Sequence, residues 1–340
     1  MVLHIFSTAA NAVLPIVLLI AFGNLLHKTG FLNDNFVKIG NKLVFKIGLT
    51  CSLFVNVYNI NDFSSISWSF ILFTYAVTAL LFILGYVTAV ATTNVMERRG
   101  VILQCVFRCN FAIIGLSLAT ALGGSDAEAQ ASLVSAFILP VFNILGVVAL
   151  SLFVHADGSE AHSLKPVLRG IVTNPMVMGA FAGLVCIGIR ELEKRLFGSQ
   201  VFTIKKDLPF VFTAVNNIKG MTTPLALLIT GAQFRFSAVR GLFKEILVGT
   251  LLRIVVAPLI GISAALLMAH YGWMPCGTGE LATLIALFGA PSAVSSVVMA
   301  GQMGSDEQLA TQHLVWSTIG SVITIFATVC ILMATGVLAI

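Results

Sequence analysis

Four cationic side chains lie deep inside apolar stretches of the sequence, where charge is rare. Lys46, Arg108, Lys219 and Arg253 stand well within apolar segments, whereas the Asp and Glu residues all fall in polar connectors or near segment ends. A charged side chain in the middle of a bilayer is costly and usually faces a cavity or a partner. These cations therefore indicate either an anionic guest or pairing with backbone carbonyls.

Neutral polar residues and helix-disturbing residues accompany these cations. Arg108 stands two residues before Asn110, so we expect it to reach a carboxylate directly or through a neighbouring side chain. Ser, Thr and Asn also hydrogen-bond between helices in ordinary membrane bundles, and that reading stays open for each residue taken alone. The predicted substrate-binding residues are Thr50, Arg108, Asn110, Gly115, Ser117, Asn143, Thr223, Pro224, Ala290, Pro291, Ser292 and Ser295.

One apolar segment, residues 281–304, contains Gly289, Ala290 and Pro291 at its centre, followed by Ser292 and Ser295. Lipid cannot satisfy free backbone N–H and C=O groups, so a break at this depth must pack against protein or line a cavity. The second half-helix would begin inside the membrane with the positive end of its dipole exposed, which suits an anion. A simple packing kink is the alternative.

Other chemistries find no support in the sequence. There is no G-x-S-x-G elbow, no H-E-x-x-H motif, no Walker loop and no Cys/His metal spacing. The six cysteines are scattered and do not form a disulfide framework. We therefore expect no enzyme activity, no metal, no cofactor and no nucleic-acid partner.

Composition assigns the chain to the membrane. Hydrophobic residues make up 58% and charged residues 10% of the 340 residues, and the mean hydropathy is +1.01. Soluble domains have about 45–50% apolar and about 25% charged residues. Apolar segments of roughly 20 residues suit membrane-spanning helices. The predicted spans are residues 5–27, 35–58, 67–93, 99–122, 128–155, 168–189, 207–232, 243–270, 280–303 and 308–338.

An internal repeat relates the two halves of the chain. Pro15 and Pro175 are each followed by Gly after eight residues, and further along Thr50 aligns with Pro224 and Ser117 with Pro291 at a constant offset. Five spans per half give an inverted repeat. A Ser or Thr hydroxyl can bond to a carbonyl one turn earlier and bend a helix, so we expect breaks at Thr50 and Ser117 and tolerance of Ser117→Pro.

Four motifs of the chain resemble those of a known family. Its motifs Arg108-Cys-Asn-Phe-Ala-Ile-Ile-Gly115, Asn174-Pro175, Pro224-LALLITGA and Ala290-Pro291-SAVSSVVMA, in this order, resemble those of the auxin efflux carriers, in particular the bacterial malate and malonate permeases. The resemblance implies an all-α integral membrane protein of ten transmembrane helices, a 5+5 inverted repeat with broken fourth and ninth helices, similar to bile-acid transporters and sodium–proton antiporters.

The resemblance also implies that the chain divides into two repeats and that its spans divide into two domains. Residues 1–156 would form the first repeat, 157–167 a connecting loop and 168–340 the second repeat, with a scaffold of spans 1, 2, 6 and 7 and a mobile transport domain of spans 3–5 and 8–10. The expected function is elevator-type transport of a small organic anion, a dicarboxylate such as malonate or malate, with H⁺ or Na⁺ as the coupling ion. The alternatives are a monocarboxylate or auxin-like weak acid, or a transport-inactive sensor.

The charge distribution predicts the orientation. Lys and Arg collect in connectors on one side of the membrane, and cytoplasmic loops carry the excess of positive charge. Both termini then lie outside the cytoplasm, in a multi-pass protein of the inner membrane. The expected partners are the lipid bilayer, the organic anion and a second copy of the chain, bound through the scaffold domain.

Overall fold

The computed structural model describes residues 2–59, 67–154, 173–274 and 276–338, with side chains from residue 14 onward. These parts of the chain are helical, and their single extended pairing is an isolated antiparallel bridge between Cys109 and Ser292. In chain order the α-helices are α1 (Val2–Lys28), α2 (Asp34–Leu43), α3 (Leu49–Tyr58), α4 (Trp68–Thr92), α5 (Met96–Phe107), α6 (Leu116–Val154), α7 (Pro175–Phe197), α8 (Ile204–Asp207), α9 (Pro209–Gln233), α10 (Ala238–Leu251), α11 (Ala257–His270), α12 (Thr278–Gly289), α13 (Val294–Gln302) and α14 (Glu307–Ala334).

Three π-helical turns widen the helices at fixed places. They are Val44–Gly48, Phe111–Gly115 and Leu252–Val256, and they run directly into α3, α6 and α11. The first joins α2 to α3 and the third joins α10 to α11, so each pair forms one continuous helix. Such single π turns occur frequently at functional sites.

Local sequence signals set several helix ends. Asn33, Asn174 and Asp306 precede α2, α7 and α14, and each side chain accepts a hydrogen bond from a backbone N–H in the first turn of its helix. α7 ends at Gly198, whose φ of 75° lies in the left-handed region that a glycine adopts without strain. These ends are therefore encoded in neighbouring residues.

Within the described residues, five helical segments are long and apolar enough to cross a membrane by length and composition: Trp68–Thr92, Phe111–Phe153, Pro175–Phe197, Ala238–His270 and Glu307–Ala334. Large apolar side chains such as Leu18, Phe181 and Ile323 are exposed on the outside of the bundle. Outward-facing apolar surface of this kind is suited to lipid. The chain is a multi-pass membrane protein, as its composition predicts.

The most extensive helix contacts fall within two groups. α1 packs on α9 and α3 on α7, while α4 packs on α5 and α6 packs on both α5 and α12. The α1–α9 contact is close because Gly23 and Gly231 face the opposite backbone, where a Cβ would overlap main-chain atoms. Small residues at such contacts let membrane helices approach each other.

The predicted break near Pro291 is present. α12 ends at Gly289, residues 290–293 are extended, and α13 begins at Val294. The fourth predicted span is also broken, but the break lies at residues 108–110, between the end of α5 at Phe107 and the π turn that begins at Phe111. The prediction of a break at Ser117 is therefore wrong.

The physical reason is visible in the hydrogen bonds. Ser117 Oγ does donate to the Ile113 carbonyl at 3.0 Å, as predicted for a hydroxyl that bends a helix, but the helix stays intact there and only its preceding turn is π-helical. Breaking occurs where another segment can satisfy the freed backbone: Asn110 N donates to Pro291 O at 2.8 Å. The alignment of Ser117 with Pro291 does not match the two breaks.

The other predicted pair of breaks is absent. α9 continues through Pro224, and Thr50 lies in α3, where its hydroxyl donates to Lys46 O at 2.9 Å just after a π turn. Thr50 and Pro224 therefore do not interrupt α3 and α9. The predicted connector at residues 123–128 is found: Gly124, with φ of 65° and ψ of −150°, is non-helical and separates two helices that together make up α6.

One predicted helix end is wrong, and several other predictions are not tested by the structure. α7 reaches Phe197, beyond the predicted end at residue 189. The connecting loop at residues 157–167, with Lys165, lies outside the described residues. The ten-span count, the inverted repeat and the domain boundaries stay predictions.

Candidate functional site: a polar cavity beside two broken helices

The two broken helices cross at their extended segments. Cys109 and Ser292 form the antiparallel bridge, and Asn110 N bonds to Pro291 O. Ser292 N donates to Ser317 Oγ at 3.1 Å, and its own Oγ lies 3.1 Å from Cys105 Sγ. Backbone groups that lipid would leave unpaired are thus satisfied by the other break and by α14.

Arg253 caps the carbonyl ends of both half-helices. Its guanidinium donates to Val106 O near the end of α5 at 3.1 Å and to Leu287 O and Phe288 O near the end of α12. The side chain is fully buried. A cation at helix C-terminal ends satisfies free carbonyls and complements the negative end of the dipole. Of the two readings of a core cation, pairing with carbonyls is the one found for Arg253.

Arg108 is buried in a network of polar and sulfur atoms. One nitrogen donates to Asn143 Oδ1 at 2.5 Å and to Ser295 Oγ at 2.7 Å. The other donates to Met299 Sδ at 2.6 Å and Gln104 Oε1 at 3.4 Å. Arg108 is only 2% exposed. It therefore holds Asn143 and Ser295 in place and lends them positive charge.

A polar cavity of about 470 Å³ lies in front of this network. Its volume falls within the range of about 300–1,000 Å³ that is usual for small-molecule sites. α3, α7 and α9 form one wall, and α6 and α13 with the first broken helix form the other. The polar lining residues are Ser52, Asn56, Asn59, Asn110, Ser132, Ser135, Asn143, Lys219, Thr222, Thr223 and Ser295.

The charge of the lining is positive. Lys219 lines the cavity, and none of the described residues that line it is Asp or Glu. Among the described residues, no hydrogen bond or ion pair engages the Lys219 amine. Arg108 adds a second positive charge from behind, through Asn143 and Ser295. An anion entering the cavity would meet no competing carboxylate.

Asn110 and Ser295 are two polar residues of the lining. Asn110 is 5% exposed and lines the cavity, yet its Nδ2 is buried without a partner among the described residues. A buried unsatisfied donor costs about 1–3 kcal/mol, which a bound acceptor would recover. Ser295 accepts from Arg108 through its oxygen, which leaves its O–H free to donate.

Two helix N-termini contribute to the same cavity. Ala112 and Ile113 lie in the first turn after the first break, and Val294 and Ser295 lie in the first turn of α13. The first N–H groups of a helix have no partner within the helix, and they carry the positive end of its dipole. Cations, amide donors and helix termini thus converge on one space.

The predicted site residues divide between the cavity and its support. Asn110, Asn143, Thr223 and Ser295 line the cavity, and Arg108 lies behind it. Ala290, Pro291 and Ser292 are buried in the crossing, and Gly115 is buried against Phe111. The residues outside the lining also include Thr50, Ser117 and Pro224.

Sequence reasoning missed several lining residues. Ser52, Asn56 and Asn59 lie on one face of α3 and of its end, at spacings of four and three residues, and Ser132 and Ser135 do the same on α6. Polar residues at helical spacing inside apolar spans were the available signal. Lys219 was identified as a core cation but was not included in the predicted site.

Comparison with known proteins addresses the identity of the chain. A family model described as membrane transport protein, which represents the auxin efflux carriers, matches residues 8–329. No curated protein matches the chain. The matched range includes the crossing, the cavity and both half-helix termini. Since the match extends over nearly the whole sequence, the chain belongs to the membrane transport protein family of the auxin efflux carriers.

Proposed function

We propose that the protein is a secondary transporter of a small organic anion and that the anion binds in the polar cavity beside the crossing. The observation that carries this proposal is the lining itself: it includes Lys219 and Asn110, whose Nδ2 has no partner among the described residues, and none of the described lining residues is Asp or Glu. Charge-assisted hydrogen bonds to a carboxylate contribute about 1.5–3 kcal/mol each. In many secondary transporters the substrate site is formed by discontinuous helices such as these.

The proposed substrate is a dicarboxylate such as malonate or malate. Its two carboxylates would use donors from both walls, Lys219 on α9 and Asn110 with Ser295 at the crossing. The number of cations available is smaller than the sequence indicates, because Arg253 is occupied by carbonyls and Lys46 is exposed and outside the cavity. Lys219 and Arg108 remain, which still matches the charge of a dianion.

A monocarboxylate or auxin-like weak acid is the second candidate. The cavity of about 470 Å³ also has an apolar part, with Leu49, Leu53, Leu139 and Met176 in its lining. A larger apolar acid would place its carboxylate at the crossing and bury its body against these side chains. Relative affinity for malonate and an aromatic monocarboxylate separates the two candidates.

The proposed mechanism is an elevator-type movement of one helix group against the other. The scaffold would consist of α1–α3, α7 and α9, and the transport domain of α4–α6 and α10–α14. The grouping of the closest helix contacts supports this division, and the cavity has lining residues from both groups. The proposal also includes ten spans in a 5+5 inverted repeat, both termini outside the cytoplasm in an inner-membrane protein, and a dimer formed through the scaffold.

Uptake into proteoliposomes tests the function. Purified protein would be reconstituted and supplied with labelled malonate, malate or a monocarboxylate, with pH and Na⁺ gradients imposed independently. Saturable uptake above that of empty liposomes, abolished or strongly weakened in Lys219→Gln, is the expected result. Saturable binding without uptake in any gradient would identify the transport-inactive sensor instead, and no binding of any organic anion would refute the anion site.

A further inference from the structure

A carboxylate at the first position of α14 lies between the two helix groups. Glu307 Oε1 accepts a hydrogen bond from Asn41 Nδ2 of α2 at 2.7 Å, and the Gln233 side chain of α9 also hydrogen-bonds the Glu307 carboxyl. Asn41 is only 3% exposed. Two amides from one helix group thus hold a carboxylate from the other.

This carboxylate has no cationic partner within the described residues. Its neighbour Asp306 pairs with Arg98 at 3.1 Å, and Arg98 also pairs with Glu245 at 2.9 Å. Arg98 thereby ties α5, α10 and α14 together at this end. Glu307 is left with neutral partners, so its charge is balanced less well than that of either neighbour.

The side-chain amides of Asn41 and Gln233 each have an oxygen that accepts no hydrogen bond from the described residues. Asn41 Oδ1 and Gln233 Oε1 are both buried without a donor in the described part of the chain. A carboxylate offers no donor, but a carboxylic acid has one O–H. An amide that turns over presents its oxygen in place of its NH₂ group. Protonated Glu307 can therefore donate its O–H to one of these oxygens, but the amide that turns over then loses the charge-assisted bond that its NH₂ group donates to the ionised carboxyl.

Other charged groups at this end have separate engagements. Arg235 donates to Ala232 O, and Lys244 donates to Thr92 O. α13, whose Gly301 packs on the Glu307 carboxyl, contains no charged residue. The charged residues of the elements around Glu307 that remain exposed are Asp34, Lys38 and Lys42 on α2, Glu97 on α5 and Arg240 on α10.

The contact with α13 links Glu307 to the cavity. A Cβ at Gly301 would overlap the Glu307 carboxyl, so the helix and the carboxylate are in direct contact. The same helix, Val294–Gln302, carries Ser295 of the cavity lining in its first turn. A change at Glu307 therefore acts on one short helix that also carries a cavity residue.

We propose that Glu307 is a proton-binding site at the contact between the two helix groups, and that its protonation drives their separation at this end and so couples transport to protons. This coupling rests on the proposed transport function, whereas the proton site itself does not. Ionised Glu307 holds Asn41 and Gln233 by charge-assisted hydrogen bonds, and the neutral acid holds them by weaker ones. Acidification then favours opening of the contact.

Infrared difference spectroscopy of the reconstituted protein tests the proton site without any substrate. Acidification should produce the C=O band of a partly buried carboxylic acid, and Glu307→Gln should lack that band. Glu97→Gln is the matched control, because Glu97 is an exposed carboxylate at the same end. A band unchanged in folded Glu307→Gln would overturn the proposal. Asn41→Val serves as a second variant and should shift the band's midpoint to higher pH, because a donor to the ionised form is lost; an unshifted midpoint would also overturn it.

Malonate uptake then tests the coupling. An inward proton gradient of one pH unit should accelerate uptake by up to about tenfold in the wild type and in Glu97→Gln, as expected for one titrating carboxylate. Glu307→Gln should keep malonate binding but lose this acceleration. Full acceleration in Glu307→Gln would overturn the coupling. If no variant binds malonate, the transport function fails while the infrared result still decides the proton site.

Discussion

The Lys219→Gln substitution is the sharpest perturbation of the proposed anion site. Lys219 lines the cavity and no described carboxylate pairs with it, so its removal leaves no unpaired partner in the protein. The variant should therefore fold as well as the wild type. Its loss should appear in binding, because the ammonium would donate a charge-assisted hydrogen bond to the substrate carboxylate.

The expected size of the loss follows from that bond. A hydrogen bond to a charged group contributes about 1.5–3 kcal/mol, and 1.4 kcal/mol corresponds to tenfold in Kd, so the Kd for malonate should rise by about 10–150-fold. Lys46→Gln is the matched control. Lys46 is also a cation within an apolar segment of the sequence, but in the structure it is exposed and does not line the cavity. Its Kd should stay within about twofold of the wild-type value.

Calorimetric titration of purified protein with malonate measures these constants. Thermal unfolding with and without malonate provides an independent check, since a ligand at about 100 times its Kd stabilises a protein by about 2.7 kcal/mol. At the same malonate concentration the stabilisation of Lys219→Gln should fall to about 1.4 kcal/mol or less. An unchanged Kd in well-folded Lys219→Gln, or equal losses in Lys219→Gln and Lys46→Gln, would refute the reasoning.

Three further substitutions probe the support of the site. Arg108→Gln should weaken binding of malonate and of a monocarboxylate by similar factors in titrations, because Arg108 acts through Asn143 and Ser295; a selective loss for malonate would instead indicate direct contact. Arg253→Met should lower the unfolding free energy by at least about 3 kcal/mol, because it frees three buried carbonyls, while exposed Arg240→Met should not. Ser117→Pro should cost about 3 kcal/mol relative to Ser117→Ala, since proline would interrupt a continuous helix; equal melting temperatures would contradict that.

The position of the second break was predictable from local residues, whereas the position of the first break was not. Gly289 and Pro291 are local signals, and they mark the break between α12 and α13. The break at residues 108–110 contains neither residue type. It exists because Asn110 N finds Pro291 O and Cys109 pairs with Ser292, contacts between residues far apart in the sequence. A sequence pattern alone does not contain that pairing.

The same distinction applies to the site residues. Core cations were recognised because charge in an apolar span is rare, but their different roles depend on tertiary neighbours. Arg253 meets the carbonyl ends of two half-helices, Arg108 meets two polar side chains, and Lys219 meets only the cavity. The four predicted residues that do line the cavity stand close to the breaks or on helices that face them.

Equilibrium binding of labelled malonate to the wild type and to Asn110→Asp tests the central claim most directly. Asn110 lines the cavity, its Nδ2 has no partner among the described residues, and aspartate replaces its amide by a negatively charged carboxylate of about the same size. The account predicts saturable binding at one site per chain and a Kd raised by at least about tenfold in Asn110→Asp. Equal affinity in the two proteins, with Asn110→Asp folded as shown by its melting temperature, would contradict an anion site in this cavity.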